Sequence, residues 1–253
     1  MTHPDLSLIF PCYKEEGHLI PNLERVIRQL ELFRFSAEII LVDDKSPDNT
    51  ALEIREFLKR SPPVPVTALF HVENQGRGAA FLTGARNARG RVVGFLDIDL
   101  EVSPTYLSEC LPPLFENKAD MALPRRTFKV TPSNLYRHLL SRGYAWLAQH
   151  ALGIPKELDT EAGFKFFRRQ ALEPYLDRFE NFGWFWDTEV VCRFLEDHLR
   201  IHSFPCLFVR DPRKKSTVRP LRDSLEYAQR LWSYRRQRIL FSRALLATII
   251  PAT

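Results

Sequence analysis

At 253 residues, 45% hydrophobic and 26% charged, the chain has the material for a substantial core and lacks the bias of a disordered or fibrous protein. Its formal charge of +5 hides an asymmetry: residues 205–243 hold 11 Lys/Arg against 3 Asp/Glu, so the basic character belongs to the C-terminal end. Four scattered cysteines without ligand spacing (Cys12, Cys110, Cys192, Cys206) argue against a zinc site or a disulfide frame, and no apolar run approaches the ~20 residues of a membrane span.

The elements alternate from the start. Leu6–Phe10 is a short apolar run stopped by Pro11, a predicted first strand. Leu19, Leu23, Val26, Ile27, Leu30 and Phe33 follow helical spacing. Glu38–Val42 is a second strand ending in Asp43 and Asp44, and a loop rich in turn and capping residues leads into a helix that runs to about Arg60. Val66–His71 is a third strand; Asn74-Gln75-Gly76-Arg77-Gly78 opens a helix through Ala88; Arg91–Leu96 is a fourth strand. This spacing is that of βαβ units, which predicts an α/β fold with a mostly parallel, Rossmann-like sheet flanked by helices. Further on, the pattern predicts a helix over 104–116, a strand over 120–123, a polar basic connection over 124–133 and a helix over 134–152. A strand at 164–167, a helix over 187–198, a strand over 201–210 and a basic helix from about Pro220 complete the chain.

The fourth strand ends in three acids at alternate positions, Asp97, Asp99 and Glu101. On an extended backbone such side chains point the same way, and the carboxyl ends of strands are where ligands bind in open α/β sheets. Three carboxylates at one spot call for a cation, and oxygen-only ligands suit Mg²⁺ or Mn²⁺. The plainer alternative is a set of solvated acids leaving a strand.

Four pieces in this order resemble the family 2 glycosyltransferases, which carry a GT-A fold: Phe10-Pro11-Cys12-Tyr13-Lys14-Glu15-Glu16, Val42-Asp43-Asp44-Lys45-Ser46-Pro47-Asp48, Asn74-Gln75-Gly76-Arg77-Gly78 and Asp97-Ile98-Asp99. A later stretch, Asp159 to Arg169, is similar to the segment found in the polyprenyl- or dolichyl-phosphate sugar synthases. The likeness covers residues 5–217. Lys14 stands where the family usually has Asn, Lys45 where it usually has Gly, and Cys12 often where it has Thr. Many relatives also carry C-terminal transmembrane helices.

The resemblance implies a GT-A domain over 1–217 and a basic amphipathic helical tail over 218–253. It implies an inverting, metal-dependent transfer of a hexose from a GDP- or UDP-sugar to a polyprenyl phosphate. Pro11, Tyr13, Glu15, Asp43, Asp44, Gly76 and Arg77 would hold the nucleotide. The reading further expects Asp48 or Asn49 to cap the second helix, leaving Asp43 and Asp44 free, and Gly76 and Gly78 to let backbone N–H groups approach an anion. Asp97 and Asp99, with Glu101, would hold the metal, Asp99 as principal ligand. Arg125, Arg126, Arg137 and Ser141 fall in the segment where the resembling enzymes bind the acceptor phosphate, and Arg168, Lys214, Lys215 and Ser216 are further anion-binding candidates.

Two alternatives stay open. A hydroxyl acceptor needs a general base, for which Asp159, Asp187 and Glu189 are the candidates, whereas a lipid phosphate needs none. The basic tail instead suits a non-catalytic membrane- or nucleic-acid-binding module, a helix on an anionic membrane surface, or one packed on the domain or on a second subunit. In the aromatic run 182–186, Phe182 and Phe185 are expected in the core. The expected setting is cytoplasmic, peripheral at the inner face of the membrane, with no nucleic-acid partner.

Overall fold

The computed structural model describes residues 3–128, 143, 146–210 and 220–249, without the side chains of 128, 220–223 and 239–249. Seven strands form one sheet: β1 (Leu6–Cys12), β2 (Ala37–Asp43), β3 (Val66–Phe70), β4 (Val92–Leu96), β5 (Met121–Phe128), β6 (Phe164–Arg168) and β7 (Ile201–Phe208), in the order β3-β2-β1-β4-β6-β5-β7. Strands β3, β2, β1 and β4 run parallel; β6 is antiparallel to both β4 and β5; β5 and β7 are parallel to each other. The reversal matters for function, because the start of β6 lies beside the carboxyl end of β4 (Leu96 opposite Phe164).

Side chains alternate across the sheet and separate two cores. Leu6, Leu8 and Phe10 of β1 pack with α1 (Leu19–Glu31), α2 (Thr50–Lys59) and α4 (Leu107–Phe115). Ile9 and the β4 residues Val93 and Phe95 face α3 (Arg77–Asn87) and α6 (Trp186–Glu196) on the other side. A short helix, α5 (Arg169–Leu172), follows β6. The long α7 (Pro220–Ile249) joins a third cluster, where its Tyr227, Leu231 and Tyr234 pack against Phe185, Cys192 and the helical residues Ala148 and Leu152. Tyr227 Oη lies 2.8 Å from Thr188 Oγ1, and Arg238 donates to the Leu152 carbonyl at 2.8 Å. Over 224–238, therefore, one face of the basic helix packs on the domain, while Leu225 and Trp232 remain exposed.

All seven predicted strands are present. One boundary is corrected: residues 124–128, read as a loop, continue β5, since each pairs in register with β7 (Pro124 opposite Phe204, Phe128 opposite Phe208). Polar and proline residues there are tolerated because a partner strand supplies the pairing that local propensity does not. Of the helix expected over 134–152, residues 143 and 146–152 are helical and the remainder falls outside the described residues. The four cysteines are buried and unpaired with one another.

Candidate active site

The candidate site lies where β1, β2 and β4 end and β6 begins. The loops after β1 and β2 are tied together: Asp44 N–H donates to Cys12 O at 2.9 Å, Lys14 N–H to Ser46 Oγ at 3.2 Å and Glu15 N–H to Thr50 Oγ1 at 2.8 Å. Lys14 and Lys45 both have left-handed backbones (φ 61° and 57°), the region that favours Asn and Gly. These are two of the three positions where the chain departs from its resemblance, the third being Cys12. Pro11 and Tyr13 are half-buried beside them, and Glu15 is buried.

Asp43 and Asp44 are both buried, and Asp44 is not left free by the helix cap. Its carboxylate accepts Gln75 N–H and Gly76 N–H, each at 2.8 Å, and lies 2.8 Å from His71 Nδ1. Asp44 thus ties the β2 loop to the entry of α3. Asp43 accepts Ser46 N–H at 3.3 Å, and Asp48, not Asn49, receives the Thr50 N–H that opens α2.

The glycines at the start of α3 also serve a different purpose from the one expected. A Cβ on Gly76 would stand 2.5 Å from Phe182 O, and one on Gly78 2.7 Å from Trp186 Cγ. Gly78 N–H donates to Phe182 O at 2.8 Å. The close backbone approach is to the 182–186 segment, so these two N–H groups are engaged and do not form an anion cradle. That segment buries Phe185 and Trp186 but leaves Phe182 and Trp184 exposed, which corrects the expectation that Phe182 is core.

At the end of β4 the chain turns instead of running on extended. Leu100 is left-handed (φ 53°) and its N–H returns to Asp97 O at 3.1 Å. Asp97, Asp99 and Glu101 therefore do not form the expected straight row. Glu101 N–H donates to Asp99 Oδ1 at 3.3 Å, while the Glu101 carboxylate lies 3.9 Å from Arg210 Nε. Asp97 is fixed from behind: its N–H donates to Gly163 O at 2.8 Å, and a Cβ on Gly163 would fall 1.8 Å from Asp97 Oδ2.

In front of Asp97 sits Arg77. Its Nη2 is 3.0 and 3.2 Å from the two Asp97 oxygens, its Nε is 3.4 Å from Asp187 Oδ2, and its guanidinium lies over the rings of Phe95 and Trp184 at 4.9 and 5.0 Å. Burial works against its charge, yet Asp187, Asp97 and Asp99 together hold its pKa above the ordinary arginine value. Asp187 is shared with Lys165, a wholly buried lysine on β6 that also donates to Ala162 O at 2.6 Å. Burial drives the Lys165 pKa down, opposed in part by Asp187. Lys165 carried no role in the sequence reading. Its signal was there: a lysine inside Phe164-Lys165-Phe166-Phe167, all buried, requires a buried acid.

The candidate bases are all bound to cations. Asp159 holds Arg126 bidentately (Nε–Oδ2 2.6 Å, Nη2–Oδ1 2.8 Å), and despite burial the arginine keeps its pKa below the usual carboxylate value. Asp187 is buried between Lys165 and Arg77. Glu189 is fully buried, accepting from Asn181 N–H at 3.0 Å and pairing with Arg193. None of the three is an unengaged base.

Among the acceptor-phosphate candidates, Arg125 is exposed and Arg126 is engaged by Asp159. Arg168 is misplaced for this role. Because β6 is reversed, it sits opposite Val92 at the start of β4, roughly 16 Å of strand away from the acids, paired with Asp120 at 2.7 Å. Arg137, Ser141, Lys214, Lys215 and Ser216 lie outside the described residues.

Among the described residues no three acid, His or Cys side chains form a metal cluster. The residue chemistry nevertheless fits a hard divalent ion: Asp97 and Asp99 offer partly exposed carboxylate oxygens, separated by one residue, at the head of a turn. Mg²⁺ characteristically takes one or two carboxylates and completes its shell with substrate phosphates and water, without an all-protein cage.

Residues 7–176 match the model of the family described as glycosyl transferase family 2. A dolichyl-phosphate beta-glucosyltransferase of Trichomonas vaginalis is 31% identical over 74% of this chain and 60% of its own length. A dolichol-phosphate mannosyltransferase of Pyrococcus furiosus is 30% identical over 66% of this chain and 47% of its own. The chain thus spans about half of the lengths of these relatives. Among solved structures, glucosyl-3-phosphoglycerate synthase from Mycobacterium tuberculosis, in complex with Mn²⁺, UDP-glucose and phosphoglyceric acid, superposes with a TM-score of 0.63 at 19% identity, covering 93% of this chain and 79% of that one.

Proposed function

The chain belongs to glycosyl transferase family 2, and from that premise we propose that it moves a hexose from a GDP- or UDP-sugar to a polyprenyl phosphate, inverting the anomeric centre in one displacement. The observation that carries the acceptor class is the engagement of every acid considered as a base: Asp159 by Arg126, Asp187 by Lys165 and Arg77, Glu189 by Arg193. A hydroxyl nucleophile needs its proton removed. A phosphate anion attacks without a base and needs only positive charge to hold it, which Arg125 and, outside the described residues, Arg137, Lys214 and Lys215 would supply. The relatives named as dolichyl- and dolichol-phosphate transferases support the same acceptor.

On the donor side, Tyr13 and Pro11 line the base while the loop organised by Asp44 shapes its pocket. Asp97 and Asp99 would hold Mg²⁺ or Mn²⁺, whose contribution when bound is to neutralise charge on the departing nucleoside diphosphate. Arg77, at the mouth of α3, is positioned to meet the diphosphate oxygens. Trp184 and Phe182, exposed beside it, form an apolar wall that sheds water from the transferred sugar. No helix among the described residues is long and apolar enough to cross a membrane. The outer face of α7, with Leu225, Trp232 and Arg235 over the Trp232 ring at 5.2 Å, would lie on the anionic surface where such an acceptor resides.

The test offers the full chain radiolabelled GDP- and UDP-hexoses with Mn²⁺ and either undecaprenyl phosphate or soluble hydroxyl acceptors. Label is expected in the lipid phase with the phosphate acceptor. Transfer to hydroxyl acceptors alone would overturn the proposal.

A further inference from the structure

The contact between Arg77 and Asp97 has a consequence for how the site is filled. Arg77 Nη2 reaches both Asp97 oxygens at 3.0 and 3.2 Å, so a permanent positive charge lies against a proposed metal ligand. The guanidinium is more enclosed than the acid it pairs with (17% against 35% side-chain exposure), and two rings, Phe95 and Trp184, bracket it. Its Nε–H is buried and faces inward, 3.4 Å from Asp187 Oδ2, so the edge that reaches Asp97 is the one an incoming anion would meet.

We infer that Arg77 holds the cation's place at Asp97 until the donor's diphosphate arrives, so that metal and nucleotide bind as a coupled pair and the metal does not bind first. The inference rests on the reading of Asp97 and Asp99 as the metal ligands. A divalent ion entering alone meets a carboxylate already occupied, and a guanidinium that repels it. Arg77 cannot shed its charge, and Asp187, itself held by Lys165, tethers its inner edge. The anionic diphosphate changes both terms at once: it gives the guanidinium new acceptors and screens the two cations from each other. Trp184, at the surface over the guanidinium, is the residue with room to move aside. By linkage the effect is reciprocal, so the ion must favour the nucleotide by the same factor as the nucleotide favours the ion.

The experiment titrates Mn²⁺ into the full chain by calorimetry and by electron paramagnetic resonance, with and without UDP or GDP, for the parent and for Arg77→Met. In the parent, nucleotide should tighten Mn²⁺ binding by roughly tenfold or more, within the usual span of coupled sites. In Arg77→Met, Mn²⁺ alone should bind more tightly than to the parent while the nucleotide binds more weakly, shrinking the coupling from both sides. A residue with a merely structural role would weaken both when removed. Unchanged or weaker Mn²⁺ binding to nucleotide-free Arg77→Met overturns the inference. Should that variant not fold, the parent decides by itself: equal Mn²⁺ affinity with and without nucleotide overturns it. Asp99→Asn separates the two readings. If this variant keeps parental Mn²⁺ binding, the metal assignment fails; if it loses Mn²⁺ while Arg77→Met gains nothing, only the exchange fails.

Discussion

Replacing Asp187 by Asn tests whether the charge network behind Asp97 is structural as well as functional. The Lys165 side chain has no exposed surface; its ammonium donates to Asp187 and to the Ala162 carbonyl and lies over the Phe95 ring. At an effective dielectric of about 20, a pair at ~4 Å is worth about 4 kcal/mol, and removing one partner of a buried pair typically costs ~3–5 kcal/mol because the other charge stays unpaired. Asp187→Asn should therefore lose ~3–5 kcal/mol in urea unfolding, a fall in Tm of very roughly 6–20 °C for a chain of this size. Lys165→Met should cost less, since Asp187 retains Arg77, 3.4 Å away. The double variant should be more stable than Asp187→Asn alone, because the stranded ammonium is gone. The assay is a double-mutant cycle from urea midpoints with m-values checked for constancy. A cost below ~1 kcal/mol for Asp187→Asn, or a double variant no better than that single one, would refute the argument that Lys165 is buried as a charge.

Three further outcomes are expected. Lys14→Asn and Lys45→Gly, both exposed and left-handed, should each raise stability by up to ~1 kcal/mol by relieving backbone strain, read as an upward shift of the urea midpoint; a loss on both would mean that the strain is absent. Glu38, Asp120 and Asp159 all have pKa values below their ordinary 4.5, 3.8 and 3.8, since bonds to Ser7, Arg89, Arg200 and Arg126 outweigh burial. Their contribution to stability is thus complete above those ordinary values and is lost as pH falls through the lower folded ones, so the urea midpoint should hold from pH 7 to about 5 and drop below about 4.5, with a shallower drop in Asp159→Asn. Gly163→Ala should reduce transfer at least ~10-fold by displacing Asp97, whose Oδ2 occupies the space of the new methyl; Mn²⁺ titration in the presence of nucleotide should weaken in parallel, and parental activity would show that the carboxylate has room to move.

Much of this architecture was legible in the residues. Alternation of apolar runs with helical spacing specified the seven strands, because burial on a pleated surface and on a helix face imposes different periods. The order of four short motifs gave the family, and the placement of Asp97 and Asp99 after a buried strand gave the candidate metal site. The errors share one cause. That Asp97, Asp99 and Glu101 do not form a straight row depends on a left-handed Leu100, a conformation that no local rule assigns to leucine. That Arg168 lies at the opposite end of the strands from the acids, and that Arg126 is held by Asp159 thirty-three positions on, follow from the direction and register of β6 and β5.

What the chain determined by itself is thus which segments are buried and which acids stand at the end of a central strand, since both follow from patterns a few residues long. Only the tertiary structure decided which charges meet. Lys165 finds Asp187, and Arg77 finds Asp97, because a reversed strand and a helix entry converge there. Ion pairs across such sequence distances have no periodicity to announce them, and in a site built from charges those pairings govern what remains available to a ligand.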